Sequence, residues 1–275
     1  MKKNFIFFIS LVVVLQVNAQ TPEQRMDELV SAYVNNQKFN GSVLVAQKGK
    51  VLYQKGWGFR NAEEKIPNDV NSIFQIGSVT KQFTAAIIMQ LQQEHKLSVQ
   101  DPLSKYFTGF VNGDKITIEH LLTHTSGIYN YTNDSVIMNN DVSKSYSQQQ
   151  FIEIIRKYSP EFAPGTKWNY SNSGYQLLGY IIEKVEMKPY EQVVRQRIFQ
   201  PLGMNNSGFD FEGLQVAQKT KGYFSLNKIM PAPVVDSTIA YAAGAIYSTV
   251  GDLYKWERAI FSDKILHPGS WNTVF

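Results

Sequence analysis

The 275-residue sequence contains no cysteine, which excludes disulfides, thiolate-bound metals and a lipid-modified N-terminal cysteine. It also lacks a strong charge imbalance, because the formal net charge is +4 and two lysines at the extreme N-terminus contribute half of it. Such a balance gives no argument for a nucleic-acid partner. After the N-terminal segment, no apolar run reaches the roughly 20 residues that a membrane-spanning helix needs. We therefore expect a chain without a stable membrane span that is held together by its hydrophobic core.

The first 19 residues have the layout of a secretory signal peptide. Two lysines precede an apolar segment from Phe5 to Leu15, and the small residue Ala19 provides a cleavage site. The apolar segment is short of the roughly 20 residues that span a bilayer. The pattern predicts a signal peptide over residues 1–19, a mature chain that begins at Gln20, and export to the periplasm or the cell exterior.

Residues 20–275 are enough for one large domain with an inserted subdomain, since 43% of the chain is hydrophobic. Thr21 and Gln24 have the spacing of a capping box, which predicts a helix from Pro22 to about Val34. Apolar residues recur at helical spacing along it as far as Tyr33. We expect this helix to pack on an antiparallel sheet.

Two β-rich segments, Gly41 to Gln47 and Val51 to Phe59, flank a short turn and predict an antiparallel hairpin. A mostly buried helix is predicted from Ser78 to about Leu97. From about residue 100 to 200, helical patterns alternate with polar loops, which we interpret as a helical subdomain. Within it, the stretch from Asn133 to Gln150 is rich in Asn, Ser and Gln and predicts an exposed loop.

Ser78 and Lys81 lie three residues apart at a predicted helix start, so their side chains share one face with Cβ atoms about 5 to 6 Å apart. A serine hydroxyl needs a proton acceptor to attack a carbonyl, and a partly desolvated lysine loses enough basicity to serve. The helix N-terminus also favours a developing oxyanion. The same spacing recurs at Ser225 and Lys228 in a polar stretch. Ser78 is therefore the candidate nucleophile, with a helix cap as its alternative role.

A tyrosine two residues before an asparagine occurs three times, at Tyr33, Tyr131 and Tyr170. Tyr33 lies on the apolar face of the first helix and is predicted to belong to the core. Tyr131 lies in a polar loop, and its pattern does not exclude it from a site. Tyr170 and Asn172 follow a Pro-Gly turn and precede a strong helical pattern, which predicts an anchored turn that directs a phenol and an amide inward.

The order Ser78-x-x-Lys81 and then Tyr170-Ser-Asn172 resembles the first two active-site motifs of class C β-lactamases. These enzymes belong to the serine β-lactamase and penicillin-binding-protein superfamily, with D-alanyl-D-alanine carboxypeptidases and esterases. The resemblance implies an α/β fold, with an antiparallel sheet flanked by helices and an inserted helical subdomain. It implies that Ser78 is acylated, that Lys81 and Tyr170 handle its proton, and that Asn172 holds the substrate or Lys81. The base, Lys81 or Tyr170, and the substrate, a β-lactam, D-amino-acid peptide or ester, stay open. No cofactor is expected.

Neighbouring segments at 118–128, 162–165 and 201–204 follow the order of the same superfamily, and the resemblance runs from about residue 21 to the end. The superfamily has a third motif, Lys-Thr-Gly or His-x-Gly, on a strand that also supplies an oxyanion-hole N–H. The His-Pro-Gly letters at 267–269 match it, but the residues around them are typical of a loop and a helix start. We therefore expect a C-terminally truncated sequence that lacks this strand.

Other functional classes fit the sequence less well. No serine has glycine two residues away on both sides, which excludes the usual nucleophile elbow of α/β-hydrolases. His120 and His124 lie four residues apart, but Glu119 precedes the pair, so the His-Glu-x-x-His metal motif is absent and a structural role is favoured. The alternative is a non-catalytic cell-wall or peptide-binding module of the same fold. The expected partner is a small-molecule or peptidoglycan-like substrate and not a nucleic acid.

Overall fold

The computed structural model describes residues 20–140, 142–225, 227–262 and 264–266. The predicted signal peptide and the His-Pro-Gly letters at 267–269 lie outside the described residues. None of the helices in the described ranges is long and apolar enough to cross a bilayer.

The chain begins with helix α1 (Pro22–Asn35), whose start is confirmed. The Thr21 hydroxyl accepts a hydrogen bond from the Gln24 N–H, and the Gln24 side chain accepts one from the Thr21 N–H. This reciprocal pair satisfies two backbone donors that a helix N-terminus would otherwise leave without partners.

The predicted place of Tyr33 in the core is wrong. Tyr33 is 53% exposed, and no residue of α1 is buried. The helix is attached to the neighbouring hairpin by polar contacts, since Asp27 accepts hydrogen bonds from Tyr53 and Lys55. Helical spacing of apolar residues predicted the helix correctly but not whether a partner covers its apolar face.

The predicted hairpin is confirmed, with β1 (Gly41–Gln47) paired antiparallel to β2 (Lys50–Trp57). β2 ends before the predicted Phe59 because Gly58 has a φ of +68°, which turns the chain out of the strand. The chain then forms a second antiparallel pair, β3 (Phe59–Asn61) with β4 (Ile66–Pro67).

Strand β5 (Phe74–Gln75) leads through a 3₁₀ turn (Gly77–Val79) into helix α2 (Thr80–Gln93). As predicted, α2 is mostly buried. It ends four residues before the predicted Leu97, and His95, just beyond it, has a φ of +55°, which is outside the helical region.

The helical patterns predicted between residues 100 and 200 form helices, while the division into a subdomain stays a prediction. Short 3₁₀ turns and a π-helical turn complete this region. The helices are α3 (Ile118–Leu122), α4 (Ser135–Asn140), α5 (Gln148–Lys157), α6 (Asn172–Glu186), α7 (Tyr190–Val194) and α8 (Gln200–Leu202).

The stretch from Asn133 to Gln150 is not the exposed loop that its composition predicts. It contains α4 and the first turn of α5, and Ile137 is only 3% exposed. Ser147 caps α5, because its hydroxyl accepts a hydrogen bond from the Gln150 N–H. Ser, Asn and Gln occur both in loops and at helix ends, so composition alone could not distinguish the two.

The last part of the described chain comprises β6 (Tyr223–Ser225), β7 (Met230–Pro231), α9 (Ser237–Gly244), β8 (Tyr247–Ser248) and α10 (Val250–Ile260). β6 pairs with β7, and β8 pairs antiparallel with β5. α9 packs against both α2 and α6, and side chains of all three helices belong to one hydrophobic core. The starts of α2 and α6 and the end of α9 are thereby brought together.

Candidate active site

Ser78 lies in the 3₁₀ turn directly before α2, and it is exposed to solvent. The turn is anchored by the β5–β8 pairing and by the Ile76 N–H, which donates to the Ile246 carbonyl oxygen at 2.9 Å. Gly77 has a φ of +52°, a conformation that favours glycine. The local fold thus presents the serine hydroxyl at the N-terminal end of a buried helix.

Lys81 is only 7% exposed, and its side-chain nitrogen has three close oxygen neighbours. Nζ lies 3.3 Å from Ser78 Oγ, 2.8 Å from Asn172 Oδ1 and 2.8 Å from the Ala243 carbonyl oxygen. Burial disfavours the ammonium form and lowers the pKa of Lys81 to about 8. Because the amide and carbonyl oxygens each accept one N–H, the lone pair of the neutral amine is left to face Ser78.

The Tyr170 phenol contacts the same serine oxygen. Its OH donates a hydrogen bond of 2.7 Å to Ser78 Oγ, and Lys81 Nζ lies 4.8 Å from the centroid of its ring. A cation at that distance from an aromatic ring is stabilised by the ring electrons. Ser78 Oγ therefore has one group that can accept a proton and another that can donate one within hydrogen-bonding distance.

Asn172 is the first residue of α6, and both atoms of its side-chain amide have partners. Oδ1 accepts from Lys81 at 2.8 Å, and Nδ2 donates to Thr132 Oγ1 at 3.3 Å. Its backbone N–H donates to Asn130 Oδ1 at 3.0 Å. Of the two contacts that the resemblance implies for Asn172, the structure shows the one with Lys81.

The sequence did not indicate three groups in this cluster: the Ala243 carbonyl, the Thr132 hydroxyl and the Asn130 side chain. The carbonyl is a backbone atom, so no pattern of side chains indicates it. Thr132 and Asn130 flank Tyr131, and the polar character of that segment was their one sequence signal. Their role follows from the folded chain, which brings this segment to the start of α6.

The duplicate motifs do not supply the groups that hydrogen-bond to Ser78. Ser225 and Lys228 belong to the β6–β7 hairpin, where the Ser225 hydroxyl accepts from the Lys228 backbone N–H at 3.4 Å. Tyr33 is exposed on α1, contrary to its predicted place in the core. Tyr131 is 2% exposed and donates to the Ile239 carbonyl oxygen at 2.6 Å. Of the three tyrosines in Tyr-x-Asn triplets, Tyr170 is the one that contacts Ser78.

The two histidines of the discounted metal motif each use Nδ1 to accept a backbone hydrogen bond. His120 accepts from Thr117 at 3.2 Å within the cap of α3, and His124 accepts from Ser171 at 3.1 Å. Burial, assisted by the nearby charge of Lys81, lowers the pKa of His124 to about 4. In the part of the chain that the structure describes, no group of three or more His, Asp and Glu side chains is arranged to hold a metal ion.

A cleft of about 250 Å³ opens beside Ser78. Its lining is mostly apolar, and Asn172 and Thr132 are among its uncharged polar groups. A larger cavity of about 530 Å³ lies between β1 and α10, and none of the four predicted site residues lines it. Within the described residues, the cleft at Ser78 combines space for a ligand with a hydroxyl flanked by proton-handling groups, an arrangement suited to acyl transfer. Its apolar walls are formed by Tyr131, Met138, Val235, Ile239, Ala240 and Ala243.

The chain is similar to penicillin-binding proteins and to hydrolases. The family described as Beta-lactamase matches residues 26–274. The teichoic acid D-alanine hydrolase of Staphylococcus aureus (strain MRSA252) is 32% identical over 259 residues, which cover 91% of this chain and 62% of that protein. The chain spans about three fifths of the length of the curated relatives that it matches first.

Solved structures agree with this assignment. The octameric penicillin-binding protein homologue from Pyrococcus abyssi superposes with a TM-score of 0.79 at 31% identity, covering 90% of this chain and 58% of that one. The D-amino acid amidase from Ochrobactrum anthropi SV3 superposes with a TM-score of 0.77 at 26% identity, covering 89% and 71%. The predicted antiparallel strands and flanking helices therefore form the β-lactamase/transpeptidase fold, and the chain belongs to the Beta-lactamase family.

Proposed function

We propose that the protein is a serine hydrolase that forms an acyl-enzyme on Ser78. The observation that carries this proposal is the contact of one exposed hydroxyl with two proton-handling groups, Lys81 Nζ at 3.3 Å and the Tyr170 OH at 2.7 Å. Burying a lysine costs free energy. A serine whose only role is to cap a helix would not need a buried lysine beside it. A nucleophile that must lose a proton does require a base of this kind.

Lys81 is the general base in this proposal. With a pKa of about 8, roughly a tenth of its amine is neutral at pH 7. The neutral amine removes the Ser78 proton as Oγ attacks the substrate carbonyl, and the N-terminus of α2 favours the oxyanion that forms. The Tyr170 phenol gives its proton to the leaving group and is reprotonated from Lys81. Water then cleaves the acyl-enzyme with the same groups acting in reverse.

The proposed substrate class is an ester or amide of a D-amino acid. Two relatives support it by name, the teichoic acid D-alanine hydrolase and the D-amino acid amidase. Both names describe hydrolysis of a D-amino-acid derivative, which is the chemistry proposed for Ser78. The lactam amide of a penicillin is open to the same attack and serves as a second probe.

The test is an intact-mass measurement on the full-length gene product after incubation with a penicillin or with an activated ester of D-alanine. We expect a mass increase equal to one acyl group in the parent protein and none in Ser78→Ala. The matched control is Ser225→Ala, which removes the hydroxyl of the second Ser-x-x-Lys and should leave the adduct intact.

Absence of an adduct on the folded parent protein with both reagents would contradict the acyl-enzyme. It would favour the alternative of a non-catalytic cell-wall or peptide-binding module. An adduct that persists in Ser78→Ala would place the nucleophile at a different residue. Which reagent reacts faster distinguishes β-lactams from D-amino-acid esters.

Export is part of the same proposal, because a substrate in the cell wall lies outside the cytoplasmic membrane. It is supported by the charged, apolar and small-residue pattern of residues 1–19. N-terminal sequencing of the protein recovered from the periplasm or the medium should begin at Gln20. Retention of the whole product in the cytoplasm with Met1 in place would contradict export.

A further inference from the structure

His124 accepts hydrogen bonds from the backbone on both sides of Tyr170. Its carbonyl oxygen accepts from the Asn169 N–H at 3.0 Å, and its Nδ1 accepts from the Ser171 N–H at 3.1 Å. The residues before and after the tyrosine are therefore tied to one histidine. A peptide N–H can only donate, so Nδ1 carries no proton and the neutral ring has its proton on Nε2.

The ring of His124 also contacts the phenol directly. Its centroid lies 4.6 Å from that of Tyr170 and 5.2 Å from that of Tyr175, and Tyr175 is buried in α6. The imidazole thus lies between the site tyrosine and a fixed helix. With the two backbone bonds, this contact restrains both the position and the tilt of the phenol.

The backbone at His124 is unusual, since its φ is +60°. Residues other than glycine rarely adopt this conformation, although Asn, Asp and His do so more readily than most. The next residue is held on both sides, because the Thr125 N–H donates to the His120 carbonyl and its own carbonyl accepts from the Gly165 N–H. A strained residue that is fixed by its neighbours in this way is a feature that functional sites often contain.

We propose that His124 is a positioning residue for Tyr170, which holds the phenol within hydrogen-bonding distance of the nucleophile. This role rests on the proposed function of Ser78. The hydroxyl–hydroxyl distance of 2.7 Å depends on the placement of the turn at 169–171, since a displacement of about 1 Å would lengthen that bond beyond useful range. His124 itself touches neither substrate nor Ser78 in this role and acts through Tyr170.

Two substitutions of His124 test the hydrogen bond from the Ser171 N–H without adding backbone strain. His124→Gly accommodates the positive φ but has no acceptor, whereas His124→Asn accommodates it and offers Oδ1 where Nδ1 was. The matched control is His95→Gly, because His95 is an exposed histidine with a φ of +55° away from the site. All variants are made in the full-length gene product and checked for folding by circular dichroism.

The measurement is the acylation rate constant and the KM for a chromogenic ester. We expect His124→Gly to lower the rate constant by roughly tenfold or more with KM changed by less than about twofold, because misplacement affects the reacting groups more than binding. His124→Asn should recover to within roughly threefold of the parent protein. His95→Gly should match the parent. Equal rates for the Gly and Asn variants, or a parental rate in His124→Gly, would overturn the role.

A double-mutant cycle with Tyr170→Phe tests whether His124 acts through the phenol. If it does, His124→Gly should lower the rate by less than about twofold once the hydroxyl is gone. A loss that is as large in the Tyr170→Phe background as in the parent would overturn the proposal. A parent protein that is not acylated at Ser78 would overturn the proposed function and this role together, whereas the outcomes above overturn only the role of His124.

Discussion

At the Ser78 oxygen, the lysine that is proposed as base keeps its position through two acceptors from distant parts of the chain. The Asn172 amide and the Ala243 carbonyl each lie 2.8 Å from Lys81 Nζ. Both acceptors favour the ammonium form, whereas removal from water disfavours it. The removal from water has the larger effect, and the pKa of Lys81 is therefore lowered to about 8. An arginine would not be equivalent, since its guanidinium stays protonated.

The lowered pKa of Lys81 predicts how acylation depends on pH. Only the neutral amine accepts the Ser78 proton, so kcat/KM should be low below pH 7, rise through a midpoint near pH 8 and level off above it. The profile is measured with an ester whose spontaneous hydrolysis is slow over this range. Lys81→Arg should remove the rise along with the activity. A rate that is flat between pH 6 and pH 9 in the parent protein would argue against Lys81 as base.

At the scale of elements, the approach of α6 to α9 depends on a glycine. A Cβ on Gly179 would lie 2.5 Å from the Ala242 Cβ and 2.6 Å from a ring carbon of Tyr241, closer than real contacts allow. Ala242 precedes the residue whose carbonyl holds Lys81. The spacing of these two helices is therefore connected to the position of the lysine.

Gly179→Ala should lower the free energy of unfolding by about 1–3 kcal/mol, because the extra methyl forces α9 away from α6. It should also slow acylation, since the Ala243 carbonyl moves with α9. The matched control is Gly251→Ala in α10, where the nearest atoms to the new Cβ are 3.8 Å and 4.0 Å away. That control should be stabilising by about 0.5–1 kcal/mol. Urea unfolding measures the change in the free energy of unfolding for both variants. Changes of the same sign in the two variants would contradict this account of the contact between α6 and α9.

At the scale of the whole molecule, a buried carboxylate connects α10 to the segment after α8. Asp252 is 1% exposed, and its Oδ2 accepts from the Asn206 N–H at 2.7 Å and from the Ser207 hydroxyl at 3.0 Å. Its other oxygen accepts from Lys255 Nζ at 2.7 Å. The bond from residue 206 to residue 252 closes a loop of the chain that contains α9 and β8.

Asp252→Leu should lower the free energy of unfolding by about 2–4 kcal/mol, because it leaves buried donors without acceptors. Glu257→Gln on the exposed side of the same helix serves as the control and should change it by less than about 0.5 kcal/mol. Chemical denaturation monitored by tryptophan fluorescence measures both. If Asp252→Leu lowers the free energy of unfolding by less than about 1 kcal/mol, water or rearranged neighbours must satisfy the donors that lose the Asp252 carboxylate.

The features that the sequence determined are those within one turn or one hairpin. The Thr21–Gln24 cap and the pairing of β1 with β2 follow from residues close in the chain, whose geometry is set by local torsions and hydrogen bonds. The spacing of Ser78 and Lys81 brought their side chains within 3.3 Å for the same reason. The resemblance, and not a local rule, selected Tyr170 from three similar triplets.

Only the tertiary structure decided the features that depend on packing between segments far apart in the sequence. The partners of Lys81 come from residues 91 and 162 positions away, and its lowered pKa is a consequence of the burial that they complete. The same cause explains the errors at Tyr33, which is 53% exposed on a helix with no fully buried residue, and at Ile137, which is buried within a polar stretch. Periodicity and composition describe a segment, whereas burial belongs to the surfaces that meet in the fold.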